Sequence, residues 1–109
     1  MTGLLPFSSA RQRWGNGLSE IQSGTGNITL TVGSNAQFIR ATGTFNAVAT
    51  WTPGTVNAYP GANFLITRTG PGTGALQLGA LRAIGTGTWA LLAYEGTNAS
   101  WYVAAAGQT

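Results

Sequence analysis

The sequence contains no cysteine, histidine, aspartate or lysine. Without cysteine there is neither a disulfide framework nor a thiolate metal site. Without histidine and lysine, the commonest general base and the Schiff-base amine are missing. Glu20 and Glu95 are the two carboxylates. A glycosidase needs a facing pair across the scissile bond, but these two lie in an N-terminal stretch and in a turn. Zinc prefers Cys or His, and calcium prefers several clustered carboxylates. A serine nucleophile would lack its base. The inventory therefore predicts no enzyme: no catalytic, cofactor-binding or metal-binding residue, and no cofactor.

Charge is scarce as well. Only 6% of residues are charged, and the net charge is +3. All the basic residues are arginines, and Arg11, Arg13, Arg40, Arg68 and Arg82 are dispersed without a basic run. Nucleic-acid binding requires a clustered patch, so no nucleic-acid partner is expected. No apolar run approaches the 18 or so residues of a membrane helix, so no membrane partner is expected either. The opening MTGLLPFSSARQR lacks the basic region and long apolar core of a secretory signal. A folded domain with so few charges keeps its surface wet with Thr, Asn, Ser and Gly. Such a surface offers little repulsion to self-association.

What is present is alternation. Of the 109 residues, 43% are hydrophobic, and from Gly24 onward they recur with a period of two. Ile28, Leu30 and Val32 alternate with Asn27, Thr29 and Thr31. Phe45, Ala47, Ala49 and Trp51 follow the same rule, as do Phe64 and Ile66, Leu76 and Leu78, and Trp101 and Val103. The segment Trp89 to Tyr94 is apolar on both faces, so its second face needs a cover: another sheet, the arm or a neighbouring subunit. Breaks at Gly33-Ser34-Asn35, Ala41-Thr42-Gly43, Pro53-Gly54, Pro60-Gly61, Gly70-Pro71-Gly72 and Gly85-Thr86-Gly87 separate these runs. The pattern predicts an all-β, antiparallel β-sandwich or barrel of about eight short strands. A loop from Glu95 to Asn98 closes its last hairpin. The longest loop, 52 to 61, carries Tyr59.

Residues 1 to 23 break this pattern and read as an extended N-terminal arm, with 24–109 as the β-domain. In the arm, Phe7, Arg11, Arg13 and Trp14 form a docking cluster: guanidinium forks for carboxylates and an indole for a pocket. On the apolar strands, Leu92, Tyr94 and Tyr102 are candidates for a subunit interface. The glycine-rich Gly70-Pro71-Gly72-Thr73-Gly74 lacks the terminal Gly-Lys-Ser/Thr of a phosphate loop and reads as tight turns. Arg40, Arg68 and Arg82 read as structural or subunit contacts. Trp51, Tyr59 or an exposed Trp101 raises a second reading, a stacking platform for carbohydrate.

Two segments carry a resemblance. "GTGTWALLAYEGTNASWYVAAAG" resembles a segment of bacteriophage virion proteins, in which a bulky apolar strand leads through a D/E-G-T-N turn into W-x-V or W-Y-V. "GTGNITLTVGSNAQFIRATGTFNAVA" resembles the Gly/Thr/Asn-rich β-structure of capsid decoration (cement) proteins and tail-fibre domains. The likeness spans roughly residues 24 to 107. It implies a non-enzymatic homotrimer of β-sandwich or jelly-roll-like domains on the virion capsid surface, assembled in the host cytoplasm, with the major capsid protein as partner. A tail-fibre or tail-tip component is the alternative within the same class.

Overall fold

The computed structural model describes residues 19–108. Among them are nine strands and no helix: Ser19–Gln22 (β1), Ile28–Leu30 (β2), Phe38–Ala41 (β3), Ala49–Pro53 (β4), Asn63–Arg68 (β5), Leu76–Leu78 (β6), Arg82–Ile84 (β7), Thr88–Glu95 (β8) and Ser100–Gln108 (β9). They form a five-stranded sheet, ordered β1-β3-β5-β8-β9, and a four-stranded sheet, ordered β2-β4-β6-β7.

Up to β6, successive strands fall in alternate sheets. The chain therefore winds as a coil: β3 stacks on β1, β4 on β2, β5 on β3 and β6 on β4, all in parallel. The winding then reverses, and β6–β7, β5–β8 and β8–β9 pair antiparallel. The expected all-β class of short strands is present, but the expected antiparallel pairing is corrected, because four of the seven strand pairs are parallel. The physical reason is that side chains alternate with period two in either pairing. The Gly, Asn and Pro breaks before β6 mark corners between sheets, not hairpin reversals. Parallel neighbours need a long crossover, and here the strand in the opposite sheet supplies it.

The N-terminal boundary moves too. Residues 1–18 lie outside the described residues, but β1 falls within the 1–23 stretch read as an arm and forms the edge of the five-stranded sheet. At the other end the final hairpin is present, with its loop at Gly96–Ala99, one residue later than expected.

The core lies between the sheets. Ile39, Phe64, Ile66, Ala90, Leu92 and Trp101 from the larger sheet meet Leu30, Trp51, Leu76, Leu78 and Ile84 from the smaller one. Both buried indoles have a polar partner, as burial of an N–H demands. Trp51 Nε1 donates to the Gly26 carbonyl (3.1 Å), and Trp101 Nε1 donates to the Gly54 carbonyl (3.0 Å). Phe64 stacks on Trp101 at 5.3 Å, and Tyr94 meets the same indole edge-on. The aromatics of the closing hairpin thus fasten β8 and β9 to the loop that follows β4.

The second and third coils keep one register through both sheets and through the corner between them. Phe38 faces Leu65 and Ala49 faces Leu76 at the same sequence separation. In the corner, Gly70, Gly72 and Gly74 lie over Gly43, Phe45 and Ala47 at that separation again. The Phe45 N–H donates to the Pro71 carbonyl (2.9 Å) and the Gly74 N–H to the Phe45 carbonyl (2.8 Å). A Cβ on any of the three upper glycines would drive into the backbone of the coil below. Gly72 also has φ +113, where an L side chain is strained.

Gly72→Ala is therefore expected to destabilise the fold by about 2–4 kcal/mol through overpacking and backbone strain. Gly85→Ala, where a Cβ meets open space, should stay within about 1 kcal/mol of the parent. Urea unfolding midpoints of the two variants check the contrast.

Candidate functional site

The ionisable side chains divide into those turned inward and those left on the surface. Arg68 ends β5 with its side chain between the sheets and is 1% exposed. Its guanidinium makes five hydrogen bonds, all to backbone carbonyls: Nε to Gly70 (3.1 Å), Nη1 to Gly74 (2.7 Å) and Ile84 (3.1 Å), and Nη2 to Pro71 and Gly72 (each 3.2 Å). That number matches the five N–H groups a guanidinium carries. The Phe45 ring lies 4.8 Å from the guanidinium carbon and supplies a cation–π face. Burial lowers the Arg68 pKa below its ordinary value, but arginine stays cationic at any physiological pH. The glycine-rich segment is thus a loop whose carbonyls turn inward onto a cation, the opposite polarity to a phosphate cradle, whose N–H groups point at an anion.

Glu20 is also spent on the backbone. Its carboxylate accepts the Ala36 N–H and the Gln22 side-chain amide, each at 2.6 Å, and so ties β1 to the loop before β3. Glu95 accepts the Thr97 N–H (2.6 Å) and the Asn98 N–H (3.3 Å) within its own turn. The Thr97 N–H, above all, holds the Glu95 carboxyl below its ordinary value of 4.5, against a smaller loss of solvation that pushes it up. Glu20 and Glu95 do not converge, and among the described residues no three His, Cys, Asp or Glu side chains gather where a metal could bind.

What remains available is the outer face of the five-stranded sheet. Two rows of side chains cross it. Ser19, Phe38, Leu65 and Leu91 are register partners in one, and Ile21, Arg40, Thr67 and Trp89 in the other. Over β1, β3 and β5 the rows border an open groove of about 530 Å³ lined by Ser19, Ile21, Phe38, Arg40, Leu65 and Thr67, with Glu20 and Ile39 also bordering it. Ile21 is 63% exposed there, and Tyr102 continues the face onto β9 at 47%. Trp89 lies over Gly107, where a Cβ would press on the indole. Arg40 has no ion-pair partner among the described residues.

The site residues expected from the sequence scatter across this picture. Phe7, Arg11, Arg13 and Trp14 lie outside the described residues. Leu92 was expected at a subunit interface, but it turns inward and is fully buried. It faces the other sheet because its parity on β8 matches Ala90, not Leu91. Tyr94 is half-buried against Trp101, and Tyr102 does face outward. Of the three aromatics considered for carbohydrate stacking, Trp51 and Trp101 are core residues, and Tyr59 alone is exposed. Of the arginines read as structural, Arg68 fits that role in full.

Sequence reasoning missed Ile21, Phe38, Arg40 and Leu65 as one surface. A signal was available: Ser23-Gly24-Thr25, Thr42-Gly43-Thr44 and Thr69-Gly70-Pro71 each follow a strand of the larger sheet. That recurrence marks a coil whose strands stack. Compared with protein-family models, curated proteins and solved structures, the chain matches none of them significantly.

Replacing Arg68 by Met takes a donor from five inward carbonyls, of which Gly70 keeps the Thr86 hydroxyl and Pro71 the Phe45 N–H, and should cost about 3–5 kcal/mol. Arg68→Lys, with fewer and differently placed donors, should also be destabilised, and thermal unfolding of both variants checks this. For Glu95 the carboxyl is more acidic in the folded turn than in the unfolded chain. Its contribution is therefore complete above pH 4.5 and lost as the pH falls through the lowered folded value. Amide exchange at Thr97 and Asn98 should accelerate over that interval in the parent and show no such step in Glu95→Gln.

Proposed function

We propose that this chain is a non-enzymatic structural component of a bacteriophage particle, working by packing against copies of itself and a partner lattice. One observation carries the reading. Glu20, Glu95 and Arg68 are committed to backbone groups, while the outer face of the five-stranded sheet presents Ile21, Leu65, Leu91 and Tyr102. Reactive groups are spent on holding the fold, and apolar area is left for contact. Exposed apolar faces of this kind mark interaction surfaces.

Two placements on a virion follow from the sequence resemblance. In the first, the chain is a cement protein on the capsid surface, bound as a homotrimer to the major capsid protein. In the second, it belongs to a tail fibre or tail tip. The stacked parallel coils favour the second. Repeating rungs build length along one axis, as in solenoid proteins, and the antiparallel β7, β8 and β9 close one end of the stack. Either role works by linkage: a component that binds only the assembled particle stabilises it by mass action. The carbohydrate reading loses two of its three alternative platforms, since Trp51 and Trp101 are buried and Tyr59 alone is exposed.

Native mass spectrometry of the protein is expected to give a homotrimer. Electron microscopy of particles incubated with gold-labelled protein is expected to place the label on tails. Label on heads would move the assignment to capsid decoration. A monomeric mass together with unlabelled particles would overturn the proposal.

A further inference from the structure

We infer that the outer-face groove around Arg40 receives the Glu95 hairpin tip of a second copy of this chain. The inference deepens the self-association proposed above and rests on it.

The argument begins with the scarcity of charge. Arg40 is the one cation lining the groove, flanked by Ile21 and Thr67 across the strands and by Phe38 along its own; Glu20 also borders it, with its carboxylate held by the Ala36 N–H and Gln22. Arg40 has no carboxylate partner among the described residues. The chain offers two carboxylates. Glu20 is turned inward, held by the Ala36 N–H and Gln22. Glu95 stands at the end of β8, beside the exposed turn Gly96–Ala99. Its two turn hydrogen bonds leave lone pairs unused, because a carboxylate presents about four acceptor sites.

Within one copy the two groups cannot meet. Arg40 aligns through Thr67 with Trp89, not with the end of β8. From Trp89 to Glu95 the strand runs about 20 Å at the usual rise, and two strand spacings of about 4.8 Å add to it. A Glu95 carboxylate that pairs with Arg40 therefore belongs to another molecule. The tip suits the space: Gly96, Thr97, Asn98 and Ala99 are small, and the groove holds about 530 Å³. Ile21 and Leu65 at its walls supply apolar contact, while the charge pair sets the register.

A contact between two different surfaces of identical copies is heterologous. Repeated with a closing rotation, it makes a ring. That is the symmetry a trimer of this chain would use, with every groove filled and every tip buried.

A charge-swap series read by sedimentation velocity tests the contact. Arg40→Glu and Glu95→Arg should each weaken self-association at least tenfold, and the double variant should recover most of the loss. Because Glu95→Arg also disturbs the turn, Glu95→Gln provides a second probe that keeps a turn acceptor; it too should weaken association. Arg82→Glu, on the other sheet, should leave association unchanged. Single variants that associate like the parent would overturn the Arg40–Glu95 contact while leaving self-association standing. A double variant no better than the weaker single would overturn it as well. A parent protein that stays monomeric at all concentrations would overturn both the contact and the reading beneath it.

Discussion

The close stacking of one coil corner on the next, with a single arginine beneath it, is the constraint from which the rest of this structure follows. Gly70, Gly72 and Gly74 approach the 43–47 backbone so closely that no side chain fits between them. Their segment curves over Arg68, whose donors all end on carbonyls from this corner and from Ile84 in β7. A buried cation without a carboxylate is costly unless its hydrogen bonds are complete. Here they are complete, and the Phe45 ring adds a π-face. The same corner fixes the register of β3 against β5 and of β4 against β6, so the core between the sheets inherits its alignment from it.

That arrangement explains how so few charges suffice. A small domain buries a modest fraction of its surface, and each polar group left unpaired inside would weigh heavily. Arg68 satisfies the third corner, Glu20 the loop before β3, and Glu95 the last turn. The aromatic groups divide the remaining work. Trp51 and Trp101 fill the space between the sheets with their N–H groups tied to backbone, and Trp89 spreads over β9 across Gly107. The outer face of the larger sheet carries Ile21, Leu65 and Leu91 among the neutral Ser19 and Thr67, with Arg40 as its cation.

Much of this was legible residue by residue. Alternation placed Phe64, Ile66, Leu76 and Leu78 inside, and the Glu95 turn was located to within one position. Leu92 was misread because β8 is apolar on both faces, so parity alone gave no inside. Phe45 was read as part of a strand, but it is a corner residue held by coil stacking. The groove residues Ile21, Phe38, Arg40 and Leu65 come from three strands with different neighbours in sequence, and only strand order makes them adjacent.

By itself the sequence determined that the protein is all-β, that catalytic side chains are scarce, and where the chain bends, because those properties depend on side-chain inventory and on a period of two that is local. Tertiary structure alone decided that the strands wind in parallel coils, which apolar face is core, and that Arg68 is a clamp while Arg40 lines a groove. These depend on which strands become neighbours. A two-residue period is the same whether a strand pairs with the one before it or with one a full coil away, so that choice is settled only when the glycine corners stack and the carbonyls find their donor.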